Sequence, residues 1–151
     1  MDQALVDAGI DSVEHGAVIT ADDVETLGRR NDAWTPTLCA SVTTKPTDSD
    51  QARRRRQETS KHLAAMLPIA RAKGVRPDRL DAVGTVAHEV SPLVEHGLSV
   101  EAALAAASTE AQAYLGIGNS GDLVTCHHDP REDPATLREP AAVVIRGTRI
   151  R

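Results

Sequence analysis

Ala8-Gly9-Ile10-Asp11-Ser12-Val13-Glu14-His15-Gly16 decides how the chain is read. The stretch has the pattern of a helix end, a tight turn, a short buried strand, and a histidine where the strand stops. Gly9 suits the left-handed conformation that closes a helix. Ile10, Ser12 and Glu14 share one face of the strand, and Asp11 and Val13 the other. Gly16 lets the backbone turn directly after the histidine. In a β/α barrel, a polar residue at the C-terminal end of a strand lies on the catalytic rim. His15 is therefore the first candidate for chemistry.

Working outward, residues 2–8 read as the end of a helix and 10–15 as a strand. Thr20 suits the N-cap of a helix reaching about Arg30, with Asp22 and Asp23 favoured at its positive start. Ala33 to Leu38 reads as a second strand, with Pro36 near its end. A polar loop from Thr43 to Asp50 leads into a long helix, about Gln51 to Lys73. Leu63, Met66, Leu67 and Ala70 mark its apolar face. Pro68 should kink it, and Gly74 is a plausible stop. Val75 to about Val86 is the least legible stretch. Ser91-Pro92 starts a short helix that ends at Gly97. Ser99 caps a helix from Val100 to Ala107, and Thr109 with Gln112 fits a capping box for a third, reaching Leu115. Gly116, Gly118, Asn119, Ser120 and Gly121 break regular structure. Asp122–Cys126 and Ala141–Arg146 read as two further strands.

Composition narrows the function classes. The chain has 151 residues and a formal net charge of −5, which disfavours general nucleic-acid binding. It is long enough for a modest core but short of the roughly 250 residues of a complete β/α barrel. It has no Phe, one Trp and one Tyr, so Ala, Val, Leu and Ile must build the core. Cys39 and Cys126 make neither a disulfide framework nor a zinc ribbon, and a cytoplasmic location is expected. Met1-Asp2-Gln3 lacks the basic start and apolar run of a signal peptide. No stretch approaches the ~20 apolar residues that span a bilayer, so no membrane partner is expected.

Several segments, taken in order, resemble the amidohydrolase superfamily, near its imidazolonepropionase-like and Xaa-Pro-dipeptidase-like hydrolases. Ala8 to Gly16 resembles the sixth barrel strand, and Thr35-Pro36-Thr37-Leu38 the seventh. Val94-Glu95-His96-Gly97-Leu98-Ser99 through Leu104, then Ser108 and Leu115-Gly116, resemble the closing helices. Gly121-Asp122-Leu123-Val124 with Asp129-Pro130 resembles the return into a small β-sandwich. Val143 to Thr148 resembles that sandwich's final strand. The fold class implied is α/β: the last three β/α units of a TIM-type barrel over residues 1–117, then accessory sandwich strands over 118–151.

The resemblance implies a divalent metal, most commonly zinc, on the barrel rim, and a small-molecule substrate with a C–N bond to hydrolyse: a cyclic amide, an imidazolone or a dipeptide. His15 matches the sixth-strand metal ligand. The eighth-strand aspartate, metal ligand and proton carrier in the family, has two alignments. One makes Asp81-Ala82 the family's Asp-Ala pair. The other matches Gly84-Thr85 and puts Val86 where the aspartate should be. We favour Asp81 as the catalytic and metal-binding residue. His15 and Asp81 would then stand two strands apart, roughly 10 Å between backbones. The first five strands, with the other ligands, have no counterpart here. A truncated gene copy, a split enzyme with its N-terminal half elsewhere, or a self-associating remnant is therefore expected, with little activity in the chain alone.

The remaining candidates divide between chemistry and plain structure. His88 either faces substrate, as a histidine near here does in the family, or faces solvent. His96 belongs at a helix C-terminus, where partial positive charge is welcome. Cys126-His127-His128 alternates along a strand and does not converge on one ion. Arg53-Arg54-Arg55-Arg56 wraps round a helix rather than forming one basic stripe. Cys39 reads as a small buried residue.

Overall fold

The structure, a computed structural model, describes residues 8–77, 86–117 and 121–151. The helix expected over residues 2–8 and the alignment that turns on Asp81 fall almost wholly outside these residues. The architecture is α/β, with two separate three-stranded sheets. In the first, β1 (Ser12–Glu14), β2 (Ala33–Thr35) and β3 (Arg76–Pro77) lie in that order, all parallel. Register pairs Val13 with Trp34 and Glu14 with Thr35.

The connections between these strands are helical. Helix α1 (Ala21–Arg30) opens on Thr20, whose hydroxyl accepts the Asp23 N–H while Asp23 accepts the Thr20 N–H. This reciprocal box satisfies two of the donors every helix start leaves free. Short α2 (Leu38–Val42) follows β2, and α3 (Asp50–Ala72) is capped by Ser49 and runs on through Pro68. Val24 and Leu27 of α1 and Leu63, Leu67 and Ala70 of α3 share one buried cluster with Trp34, and Val13 packs on it. Gly28 makes the α1–α3 contact possible. A Cβ there would collide with the backbone carbonyl of Lys73.

Three helices then close the unit: α4 (Val86–Glu95), α5 (Val100–Ala106) and α6 (Thr109–Tyr114). Val90, Leu93, Leu98 and Ala103 extend the same core. Tyr114 reaches back from α6 and donates its hydroxyl to Asp11 O at 3.0 Å, tying the last helix to the entry of β1. The second sheet is antiparallel, order β4 (Leu123–Thr125), β5 (Ala142–Ile145), β6 (Thr148–Arg149). A 3-10 turn, Pro134–Arg138, precedes β5 and packs on α4, with Leu137 against the main core.

The structure corrects four details. Strand β2 stops at Thr35, because Pro36 has no N–H to donate and Thr37 turns left-handed with φ of 49°. Helix α4 starts at Val86 and carries Pro92 inside it rather than at its start. The expected Thr109 capping box is not made. The N-cap is Ser108, whose hydroxyl is already turned back onto Leu104 O at 2.6 Å. Finally, Thr148-Arg149 forms a strand of its own after a turn at Arg146-Gly147.

Candidate functional site

Parallel strands place their C-terminal ends on one rim, and two unusual residues stand side by side there. His15 follows β1 with φ of 66°, and Thr37 follows β2 with φ of 49°. A left-handed backbone is rare outside glycine and is an outlier for a β-branched threonine. Each such residue costs on the order of 1–3 kcal/mol and persists only where its surroundings over-determine it. Here they do. The His15 N–H donates to Thr35 O at 2.7 Å, extending the sheet ladder by one residue. The Trp34 indole N–H donates to His15 O at 3.2 Å. Gly16 leaves room for that indole, since a Cβ would lie 2.5 Å from its Nε1. The His15 ring meets Thr37 directly, Nδ1 to Oγ1 at 3.0 Å.

The rim is polar on the face opposite Trp34. Glu14 accepts hydroxyl bonds from Ser12 at 3.2 Å and from Thr35 at 3.3 Å. Glu14 and His15 are exposed, whereas Thr35 and Thr37 are buried. The rim thus presents an exposed carboxylate and an exposed imidazole on a buried hydroxyl layer.

Glu89, which the sequence reading passed over, supports this rim from below. It is fully buried, and its Oε1 accepts the Cys39 N–H at 2.8 Å. Thr37 makes no side-chain cap for α2, so a carboxylate fifty residues away does that work. Burial pushes the Glu89 carboxyl above its ordinary range, and the bond from the Cys39 N–H only partly opposes it. The Cys39 thiol donates to His88 O at 3.0 Å. That carbonyl is free because Pro92, four residues on, has no N–H to offer it. Burial, then the neighbouring Glu89 carboxylate, pushes the Cys39 thiol up to about 11, so it is no nucleophile at neutral pH. A buried glutamate on the first turn of a helix leaves no periodic signal that separates it from a surface one.

His88 lies on the first turn of α4 with its side chain exposed. His96 is structural: its Nδ1–H donates to Pro92 O at 2.7 Å and its Nε2 accepts from Ser60 at 2.9 Å. Cys126 is half-buried just past β4, and His127 and His128 are exposed. Arg53 and Arg56 turn back onto the preceding loop, donating to Asp48 O and to the Asp48 carboxylate. Val86 opens α4 and does not end a strand. Asp81 lies outside the described residues.

Zinc centres usually take three or four protein ligands. Among the described residues, no three His, Cys, Asp or Glu side chains converge on a common point. These residues bring His15 to the rim but do not by themselves make a metal centre. No helix among them is long and apolar enough to cross a membrane.

The fold is thus a parallel β/α unit carrying a small antiparallel sheet, with its polar rim at the strand ends. Solved structures share it. The chain superposes over 97% of its length on 41% of a Xaa-Pro dipeptidase crystallised with methionine in its active site, at TM-score 0.73 and 20% identity. It covers 44% of a protein from Bifidobacterium longum provisionally assigned as a prolidase, at TM-score 0.80 and 22% identity. In sequence it is 31% identical to uncharacterized proteins of Mycobacterium tuberculosis and Mycobacterium bovis, over 95% of this chain and 43% of theirs. The chain therefore spans about two fifths of the length of the curated relatives it matches. No protein-family model matches it.

Proposed function

We propose that this chain is the C-terminal part of a metal-dependent amidohydrolase, a hydrolase of C–N bonds in a cyclic amide, imidazolone or dipeptide, inactive without the N-terminal part. In this reading β1, β2 and β3 are the last three strands of a β/α barrel. The observation that carries it is His15: an exposed imidazole, on a left-handed backbone, at the C-terminal end of a parallel strand. That is the rim on which barrel enzymes do their chemistry. The shared fold with a Xaa-Pro dipeptidase supports the same reading.

His15 and Asp81 would hold the metal, with further ligands from strands that precede this segment in a complete barrel. A bound zinc would supply a Lewis acid and an activated water at neutral pH. Asp81 would carry the proton, and His88, exposed at the start of α4, would face the substrate.

The test is to complete the barrel. Residues equivalent to the first five strands of a Xaa-Pro dipeptidase are joined to this chain, and hydrolysis of a Xaa-Pro dipeptide is measured with and without zinc. Zinc-dependent turnover is expected, abolished by His15→Ala and by Asp81→Asn. The chain alone should hold no zinc after dialysis. Turnover that survives both substitutions would sink the assignment.

A second reading has its own observation. Leu123, Val124 and Ile150 are all more than half exposed, on a small sheet whose residues are nowhere fully buried. A non-catalytic module that self-associates would cover them, as would one half of a split hydrolase that docks the other. Sedimentation separates these: a concentration-dependent dimer favours the module, a compact monomer the enzyme part.

A further inference from the structure

We infer that Thr37 is a positioning residue for His15: its buried hydroxyl holds the imidazole in the Nδ1–H tautomer and leaves the Nε2 lone pair open. The use of that lone pair as a metal ligand rests on the amidohydrolase reading; the tautomer itself does not.

The inference follows from counting protons. The Thr37 hydroxyl has one proton and lies within reach of two groups, Thr35 O at 3.3 Å and His15 Nδ1 at 3.0 Å. Thr37 is only 3% exposed, so water does not satisfy it. If the hydroxyl donates to Nδ1, the contact with Thr35 O carries no bond. If Nδ1–H donates to the hydroxyl oxygen, the hydroxyl proton goes to Thr35 O and both bonds form. Thr35 O has two lone pairs and already takes the His15 N–H on one of them. The Nδ1–H form therefore makes one more hydrogen bond at the two strand ends than the alternative. Among the described residues, Nε2 has no hydrogen-bond partner. A neutral imidazole held through one nitrogen presents the other as the ligand atom.

The left-handed turn at Thr37 is what brings its hydroxyl back over Thr35 O and toward the neighbouring strand. The turn is clamped from its far side by Glu89, through the Cys39 N–H. His15 is clamped by the Trp34 indole on its carbonyl. The Thr37 hydroxyl that sets the tautomer is thus held in place by the backbone geometry of both strands.

Nitrogen-15 spectra of the histidine rings in the chain itself test this, recorded at about pH 9, where histidine is ordinarily neutral. His15→Ala assigns the resonances. The expected pattern is a protonated Nδ1 and an unprotonated Nε2 for His15. Thr37→Val keeps the branching but removes the hydroxyl, and the pattern should shift toward the Nε2–H form; Thr37→Ser should keep it. A cross-peak between the His15 Hδ1 proton and Thr37 reads the same bond without any substitution, should Thr37→Val fail to fold. A protonated Nε2 in the unsubstituted chain, or no change in a folded Thr37→Val, overturns the inference. In the completed barrel, Thr37→Val should weaken zinc binding roughly 10- to 100-fold. A completed barrel that binds no zinc, with His15 still held as Nδ1–H, overturns the amidohydrolase reading and upholds the tautomer.

Discussion

Each sheet has three strands, yet their central strands, β2 and β5, bury their side chains on different terms. Trp34 of β2 is 1% exposed, and all three β2 residues are buried. Every β4 residue is exposed, and those of β5 are half-buried or exposed. The difference follows from the connections. Parallel strands need long crossovers, and here these are helices that must pack back onto the sheet. Antiparallel strands need only a turn, so Arg146-Gly147 joins β5 to β6 and brings no cover with it. The parallel unit therefore concentrates stability and positions the rim, while the second sheet contributes little burial of its own.

The largest effect should come from the centre of the parallel unit. Trp34 joins the α1, α3 and α4 side chains in one cluster and also holds His15 O. Trp34→Ala should cost about 3–5 kcal/mol, read as a fall in the midpoint of urea unfolding followed by circular dichroism. A loss below about 1 kcal/mol would show that the two sheets do not differ as their burial implies.

Gly28→Ala sharpens the same point. By helix propensity alone, alanine in α1 should stabilise by nearly 1 kcal/mol. The added Cβ would collide with Lys73 O, which is backbone at the end of α3 and cannot rotate away. Destabilisation by about 1–3 kcal/mol is expected, measured by thermal unfolding. A stabilised variant would mean that α1 and α3 sit further apart.

Much of this contrast was legible in the residues. Ile10 to His15 pointed to β1 and its rim histidine, and Thr20 and Ser99 marked true caps. Leu63, Leu67 and Ala70 named the buried face of α3. What stayed hidden depends on contacts distant in sequence. Thr37 looked like strand because Thr is β-prone, and only its partnership with His15 explains a left-handed backbone there. Pro92 looked like a helix start, as proline usually is near one. Inside α4 its missing N–H is offset by the Cys39 thiol bonding to His88 O, a contact across 49 residues. Glu89 had no pattern to betray it. The eighth-strand aspartate stayed open because the residues between Pro77 and Val86 resemble the family in two registers.

Glu89 gives a smaller effect with a distinctive pH signature. Its folded carboxyl titrates above its unfolded value because it is buried. Between those two values the folded chain holds a proton that the unfolded chain has lost, so stability falls as pH rises through that window. Below the window Glu89 contributes no such slope, and above it the full penalty stands. Glu89→Gln keeps an oxygen for the Cys39 N–H but cannot ionise. The stability of Glu89→Gln relative to the unsubstituted chain should therefore increase from acid to neutral pH. Asp23, Asp48 and Asp129 are held below their ordinary values and act in the opposite sense, but they are common to both chains and cancel in the difference. A difference that stays flat with pH would show that Glu89 is not buried as described.

The smallest effect belongs to the second sheet. Leu123 is 55% exposed and Ile150 61% exposed, so neither loses much contact with the chain when shortened. Leu123→Ala and Ile150→Ala should each change stability by no more than about 0.5 kcal/mol in dilute solution. A shift that grows with protein concentration would mean something else. Binding that favours the folded state stabilises it by mass action, so a covered Leu123 would make unfolding midpoints depend on concentration. The decisive comparison is thermal unfolding of Leu123→Ala and the unsubstituted chain at two concentrations a hundredfold apart. Identical small differences at both confirm a solvent-facing sheet. A penalty that appears only at the higher concentration shows that a second copy buries this face, and the weakly buried sheet is then an interface between copies of the chain.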